Sequence, residues 1–213
     1  MKEFKKILLY PGGFKPFHDG HLMLLKNAIY YNNIDEVWIL TGGIPRDKVS
    51  AELVSPIINS ALTRLSEIFN IETEYNIFSV SPIERCYYLT SHGPDNFIYS
   101  MLTSNKENDL ERAESFYNGY KVGGKYNQDI WDHDRAFMLN PKTYRKMTYY
   151  ESNDYISATS IRESIYSDDY TEFLRGYKYM LSYGYVTLDI LKKFWIAMVL
   201  KTMKTIESRF VVD

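Results

Sequence analysis

His18 and His21 stand three residues apart in a chain that has only four histidines. They close the run Leu9-Tyr10-Pro11-Gly12-Gly13-Phe14-Lys15-Pro16-Phe17-His18-Asp19-Gly20-His21-Leu22, which joins an apolar stretch to an amphipathic one. Glycines such as Gly12 and Gly13 let backbone N–H groups approach phosphate oxygens with no Cβ in the way. Histidines at i and i+3 of a helix start point the same way, and each can donate to a non-bridging oxygen. Lys15 adds a positive charge, and the helix N-terminus adds its dipole. The chemistry suggested is phosphate binding. Two other readings stand beside it. One is a plain strand-turn-helix with two surface histidines. The other is a metal site, for which two histidines with only Asp19 nearby make a poor zinc ligand set. A chance His-x-Gly-His in such a chain has odds on the order of one in a hundred, which favours phosphate.

A second constellation lies late in the chain, Ile156-Ser157-Ala158-Thr159-Ser160-Ile161-Arg162. Ser160 with Glu163 has the S-x-x-E form of a capping box, which predicts a helix starting there. Its free N–H groups, and the hydroxyls of Ser157, Thr159 or Ser160, would face an anion. Arg162 in the first turn suits a β- or γ-phosphate. Taken alone, a helix cap accounts for the segment.

These residues need elements to hold them. Ile7 to Tyr10 reads as a buried strand stopped by Pro11-Gly12-Gly13, and Gly20 to Tyr31 as a helix ended by Asn32-Asn33. Val37 to Leu40 is a second strand. A helix follows from Ala51 or Pro56 to Phe69, with Ile57, Ile58, Ala61, Leu62, Leu65 and Ile68 inward. Ile77 to Val80 is a third strand, Ile83 to Thr90 a helix after Pro82, and Phe97 to Tyr99 a fourth strand. A polar helix is expected from Lys106 to Tyr117, an excursion over 118–147, and a fifth strand from Met147 to Tyr150. The last helix, Tyr185 to Phe210, carries Leu188, Leu191, Trp195, Met198, Thr202 and Ile206 in one stripe. Strands alternating with helices predict an α/β fold, a Rossmann-like parallel sheet with helices on both faces plus a C-terminal helical tail. The division expected is a domain over 1–165 with an extension over 166–213 packed on it. Gly12-Gly13, Thr41-Gly42-Gly43 and Ser100 all follow strands, so all three are expected at the carboxyl edge, where such sheets bind ligands.

The Gly12 to His21 run resembles the HxGH signature of the nucleotidylyltransferase superfamily, which includes nicotinamide mononucleotide and phosphopantetheine adenylyltransferases and cytidylyltransferases. Residues 156–162 are similar to its second signature, Ile-Ser-Ser-Thr-x-x-Arg, with Ala158 replacing the second serine. The resemblance spans residues 12 to 162. It implies in-line attack of an acceptor phosphate on the α-phosphorus of a nucleoside triphosphate, ATP being favoured, with release of pyrophosphate. It implies catalytic roles for His18, His21, Lys15 and Arg162. It implies nucleotide contacts from Gly12, Gly13, Phe14, Gly20, Ser157, Thr159 and Ser160. The loop after the second strand is expected to meet the acceptor through Thr41, Gly42, Arg46 and Lys48; a solvated turn is the equal alternative. Arg64 on the second helix is similar to an arginine of many members, or it pairs with Glu67. Mg²⁺ is expected to arrive with the nucleotide phosphates, with no protein metal site.

Composition narrows the alternatives. The 213 residues are 45% hydrophobic and 24% charged, as in soluble globular proteins. A net charge of −2 gives no basic field for nucleic acid or anionic membrane, so phosphate-binding charge must be local. The apolar run Ile7 to Tyr10 is too short for a signal-peptide core or a membrane span. Cys86 is the sole cysteine, which suits a reducing cytoplasm. The partners expected are a nucleoside triphosphate and a small phosphorylated acceptor, such as nicotinamide mononucleotide. Remaining alternatives are a CTP-dependent cytidylyltransferase acting on a phosphorylated alcohol or sugar, a nucleotide sensor without turnover, and an RNA-linked relative of class I synthetases. The last lacks a Lys-Met-Ser-Lys-Ser loop. The apolar stripe of the last helix is expected to pack on its own domain, and a homo-oligomer built on it stays open.

Overall fold

The computed structural model describes residues 4–104, 107–128, 131–140 and 157–210. Four parallel strands, β1 (Lys5–Gly12), β2 (Glu36–Gly42), β3 (Glu72–Phe78) and β4 (Phe97–Met101), form one sheet in the order β3-β2-β1-β4. The helices are α1 (Asp19–Asn32), α2 (Ala51–Phe69), α3 (Pro82–His92), α4 (Glu107–Tyr120), α5 (Ala158–Tyr166), α6 (Tyr170–Arg175), α7 (Lys178–Ser182) and α8 (Leu188–Phe210). The order of strands reverses at β1, between the neighbours β2 and β4. That switch point is where parallel sheets leave a crevice beyond the strand ends.

Alternation along β1 divides the core. Leu8 and Tyr10 face one apolar cluster with Leu22 and Leu25 of α1, Ile57 and Ile58 of α2, and Phe173, Met180, Leu191 and Met198 of the C-terminal helices. Ile7 and Leu9 face the other, with Cys86 of α3 and Phe116 and Tyr120 of α4. The period of two puts consecutive β1 residues on opposite faces, so one strand serves both layers. Left-handed Asn33 and Asn70, with φ of 54° and 52°, end α1 and α2, because asparagine tolerates that backbone region.

Several expectations needed correction. β3 runs Glu72–Phe78, earlier than Ile77 to Val80, because its alternating polar residues belong to an exposed sheet edge and not to a buried run. Ser100 lies buried inside β4 and not beyond it. Ile68, in the last turn of α2, and Leu188, the first residue of α8, are 46% and 53% exposed, and α8 starts at Leu188 and not at Tyr185. The expected fifth strand, 147–150, lies outside the described residues. A segment around Ala136 pairs instead with the outer edge of β4, through Tyr99 N–H to Arg135 O (2.9 Å) and Phe137 N–H to Tyr99 O (2.9 Å). Among the described residues, no helix is long and apolar enough to cross a membrane.

Arg135 is completely buried. It donates to the carbonyls of Pro94 (2.7 Å), Phe97 (2.8 Å), Thr90 (3.0 Å) and Gly93 (3.0 Å), and its guanidinium lies 4.4 Å from the Trp131 ring centre. It therefore pins the α3–β4 turn at the amino edge of the sheet, far from the carboxyl edge. Losing it strands buried acceptors. Arg135→Met is expected to cost about 2–4 kcal/mol of unfolding free energy. Urea denaturation measures this, and a loss below about 0.5 kcal/mol would contradict the assigned role.

Candidate active site

The loop from Gly12 to His18 crosses the carboxyl edge of the sheet and feeds α1. His18 is the N-cap of α1, in extended conformation, and its Nδ1 accepts the Gly20 N–H at 3.1 Å. That bond fixes the tautomer. With Nδ1 accepting, the neutral ring carries its proton on Nε2 and can donate from there. A Cβ on Gly20 would lie 3.0 Å from the His18 ring, so the glycine of the motif is what lets the ring fold back onto the helix start. His21 sits one turn on, its ring centre 3.9 Å from that of His18. The Phe17 ring stacks on it at 5.4 Å and the Phe14 ring meets it edge-on at 5.2 Å.

Burial holds His18 well below 6.5, with the neighbouring His21 adding to the effect, and burial pushes His21 down to about 4. Both rings are therefore neutral donors at pH 7, and an anion placed against them would raise both values. Gly13 is exposed, and a Cβ added there would meet nothing within 4 Å, so a ligand can approach its N–H closely. Phe14 departs from expectation. It adopts φ of 46° and its ring is buried against Tyr10 and His21, so it supports the loop from beneath and offers a ligand only backbone.

Lys15 is buried, and its Nζ donates to the carbonyl oxygens of Gly42 (2.7 Å) and Ile44. Burial lowers its pKa, with the Glu52 charge opposing. It thus ties the first loop to the loop after β2. Thr41, expected to meet an acceptor, is fully buried and its hydroxyl donates to Gly13 O at 3.1 Å; it braces the glycine turn instead. Gly42 contributes the carbonyl that receives Lys15. Arg46 and Lys48 are exposed in the same loop. Arg64 pairs on the surface with Glu67 at 3.0 Å.

The second constellation arrives at the same place. Its helix starts three residues earlier than the Ser160–Glu163 pattern predicts. Ser157 is the N-cap, and the reciprocal pair is Ser157 with Ser160, with Ser160 N–H to Ser157 Oγ and Ser157 N–H to Ser160 Oγ both 3.0 Å. The serine hydroxyl fills the place of the glutamate carboxylate in the usual box. Both hydroxyls are consumed by capping, and among the described residues the N–H groups of Ala158 and Thr159 at the helix start have no partner. Arg162 is buried one turn on. It donates to Lys15 O at 2.7 Å and to Thr159 Oγ1 at 3.2 Å, and its Nε lies 2.9 Å from Asp47 Oδ2. His18, His21, Lys15 and Arg162 therefore border one loop crossing, with Gly12, Gly13, Gly20 and the start of α5.

One residue of the first motif had no assigned role in sequence. Asp19 is buried, accepts the N–H groups of Tyr179 (2.7 Å) and Met180 (2.9 Å), and donates its own N–H to Gly176 O at 3.1 Å. It caps α7 from the first turn of α1. Only a carboxylate that fails to pair within its own helix could have signalled this, and sequence does not disclose that.

A family profile described as cytidylyltransferase-like matches residues 9–164. The chain belongs to that family, within the nucleotidylyltransferase superfamily. It is similar to a probable nicotinate-nucleotide adenylyltransferase of Halalkalibacterium halodurans, 39% identical over 74 residues, 32% of this chain and 36% of that protein. It is also similar to a phosphopantetheine adenylyltransferase of Mycoplasma mycoides, 27% identical over 116 residues, 54% of this chain and 76% of that protein. A probable nicotinate-nucleotide adenylyltransferase/Ap4A hydrolase of Mycoplasma genitalium matches at 27% over 118 residues, 51% of this chain and 32% of that protein. The match thus spans about a third of the length of both nicotinate-nucleotide relatives.

The buried titratable groups give opposite pH trends. The histidines have folded values below the unfolded one, so their contribution is present above pH 6.5 and is lost as pH falls toward 4. Burial raises Asp19 from 3.8 to about 6, against the pull of its two N–H bonds. Its contribution is full below 3.8 and declines as pH rises through 6. The stability of wild type minus that of Asp19→Asn is therefore expected to fall as pH rises from about 4 to about 6, in urea titrations at each pH. A flat difference would contradict the burial of an ionising carboxylate.

Proposed function

We propose that this protein transfers a nucleotidyl group from ATP to a small acceptor that bears a phosphate, releasing pyrophosphate. An acceptor phosphate oxygen bonds to the α-phosphorus while the bond from that phosphorus to the bridging oxygen of the β-phosphate breaks. The acceptor phosphate is already ionised, so positioning and charge stabilisation carry the catalysis. The observation that carries the reading is the bond from Arg162 to Lys15 O, which joins the two constellations into one cationic, N–H-lined edge. His18 and His21 donate to the triphosphate as neutral rings. Arg162 and Lys15 offset charge on the α-phosphate and the leaving pyrophosphate. The donors at Gly13, Ala158 and Thr159 complete the cradle.

The activities of the relatives, nicotinate-nucleotide and phosphopantetheine adenylyltransferases, support ATP as donor and a pyridine mononucleotide as the first acceptor to test, with phosphopantetheine second. Arg46 and Lys48 project from the β2–α2 loop, where they can meet the acceptor phosphate. The family's description supports CTP as the alternative donor. Mg²⁺ would enter bound to the nucleotide's phosphates and offset their charge; among the described residues no three His, Cys, Asp or Glu side chains cluster as its ligands. Cys86 is buried and free, in keeping with a cytoplasmic enzyme.

Pyrophosphate release with ATP, CTP, GTP and UTP, each against a panel of phosphorylated acceptors, tests the reading. Release with ATP and a mononucleotide acceptor is expected, and none with any pair would favour a sensor. His21→Ala is expected to slow turnover by at least ~100-fold, as for loss of one oxyanion donor; a near-normal rate would remove His21 from the chemistry. Arg162→Ala is expected to raise the KM for the triphosphate and lower kcat together, and unchanged kinetics would leave α5 a structural helix only.

A further inference from the structure

The loop between β2 and α2 is held at both ends by the two cations assigned to the triphosphate. Lys15 Nζ takes the carbonyls of Gly42 and Ile44. At the far end, Arg162 Nε pairs with Asp47 Oδ2 at 2.9 Å, an ion pair between a buried guanidinium and a side chain that is 54% exposed. The Tyr166 hydroxyl, also on α5, donates to Asp47 O at 2.8 Å. Arg46 and Val49 exchange backbone bonds of 3.0 and 2.9 Å, which pinch the loop to a two-residue tip. Asp47 and Lys48 form that tip with φ of 47° and 68°, both left-handed and neither glycine. The turn's own backbone bonds hold that shape, and Arg162 and Tyr166 add contacts from α5 that dock the tip against the site.

We infer that Asp47 is a resident counter-ion for Arg162, displaced by the incoming triphosphate, and that its displacement frees the Asp47–Lys48 tip, with Arg46, to receive the acceptor. The inference rests on the phosphate-site reading given above. Its physical basis is exchange of one anion for another. A buried guanidinium donor left unpaired is costly, so the Arg162 Nε–H, whose neighbours Nη1 and Nη2 already have acceptors, needs an acceptor with or without nucleotide, and an anion is the strongest one. A carboxylate and a phosphate oxygen cannot share one Nε–H at bonding distance, and they repel each other. Asp47 fills the place in the absence of nucleotide and gives it up when nucleotide binds. Because Arg46, Asp47 and Lys48 share one tip, the exchange couples the triphosphate to the acceptor loop and puts nucleotide first in the order of binding.

Asp47→Asn isolates the charge, because asparagine tolerates the left-handed backbone. Inorganic triphosphate is the probe, followed by calorimetry. Asp47→Asn is expected to bind it about 5-fold or more tightly than wild type. Equal affinity in the two proteins would overturn the counter-ion role. Tyr166→Phe removes the other tether without touching the charge, and is expected to leave triphosphate affinity within about twofold. Trypsin reports the tip directly, since Arg46 and Lys48 flank Asp47. Cutting after these residues, read by mass spectrometry, is expected to speed up severalfold when triphosphate is added to wild type, and to be faster without it in Asp47→Asn than in wild type. Cutting that slows or stays constant with triphosphate bound would overturn release of the loop. If neither wild type nor Asp47→Asn binds triphosphate, the phosphate-site reading falls, and this inference falls with it.

Discussion

A buried arginine binds the two ends of this fold together. Arg162 donates to Lys15 O across 147 residues of sequence, and the 2.7 Å bond lies out of contact with water. A guanidinium in such a place must have its donors satisfied. Those of Arg162 go to Lys15 O, Thr159 Oγ1 and Asp47. The start of α5 can therefore sit only beside the glycine loop, and the loop can take only a path that offers that carbonyl. The closeness of the two motifs is a consequence of this packing requirement.

The C-terminal helices complete the arrangement from the other side. Asp19, between the two histidines in sequence, spends its carboxylate on the first N–H groups of α7. Phe173, Tyr177, Met180 and Leu191 share one apolar cluster with Leu22 and Leu25 of α1. The helix that presents His18 and His21 is thus gripped by the C-terminal helices through a buried charge and a common core. Displacing the tail would disturb the start of α1, which carries both histidines.

Sequence disclosed the repeating strands and helices because they follow local rules. Apolar runs stopped by glycine mark β1 and β2, Asn32-Asn33 marks the end of α1, and an apolar stripe marks α2, without help from tertiary contacts. The motif residues stood out for the same reason, since their spacing is local. What stayed hidden was non-local. The pattern Ser160-x-x-Glu163 looked like a cap, yet Ser157 and Ser160 form it, because two serines can close the same reciprocal bonds. β3 was misplaced because an exposed edge strand has no apolar run to announce it. Thr41 and Phe14 looked like ligand contacts, and burial turned both into supports for the loop. Asp47 gave no signal at all, since its significance depends on an arginine more than a hundred residues away.

The imidazole spectrum of ¹⁵N-labelled protein, titrated with inorganic triphosphate at pH 7, tests the central claim most directly. It sees all four histidines at once, and two of them, His92 and His133, lie outside the site. The result expected is that the ring nitrogens of His18 and His21 shift together and saturably as their N–H groups donate to the anion, while those of His92 and His133 stay in place. No shift at His18 and His21 at saturating triphosphate would contradict a shared triphosphate site at this edge.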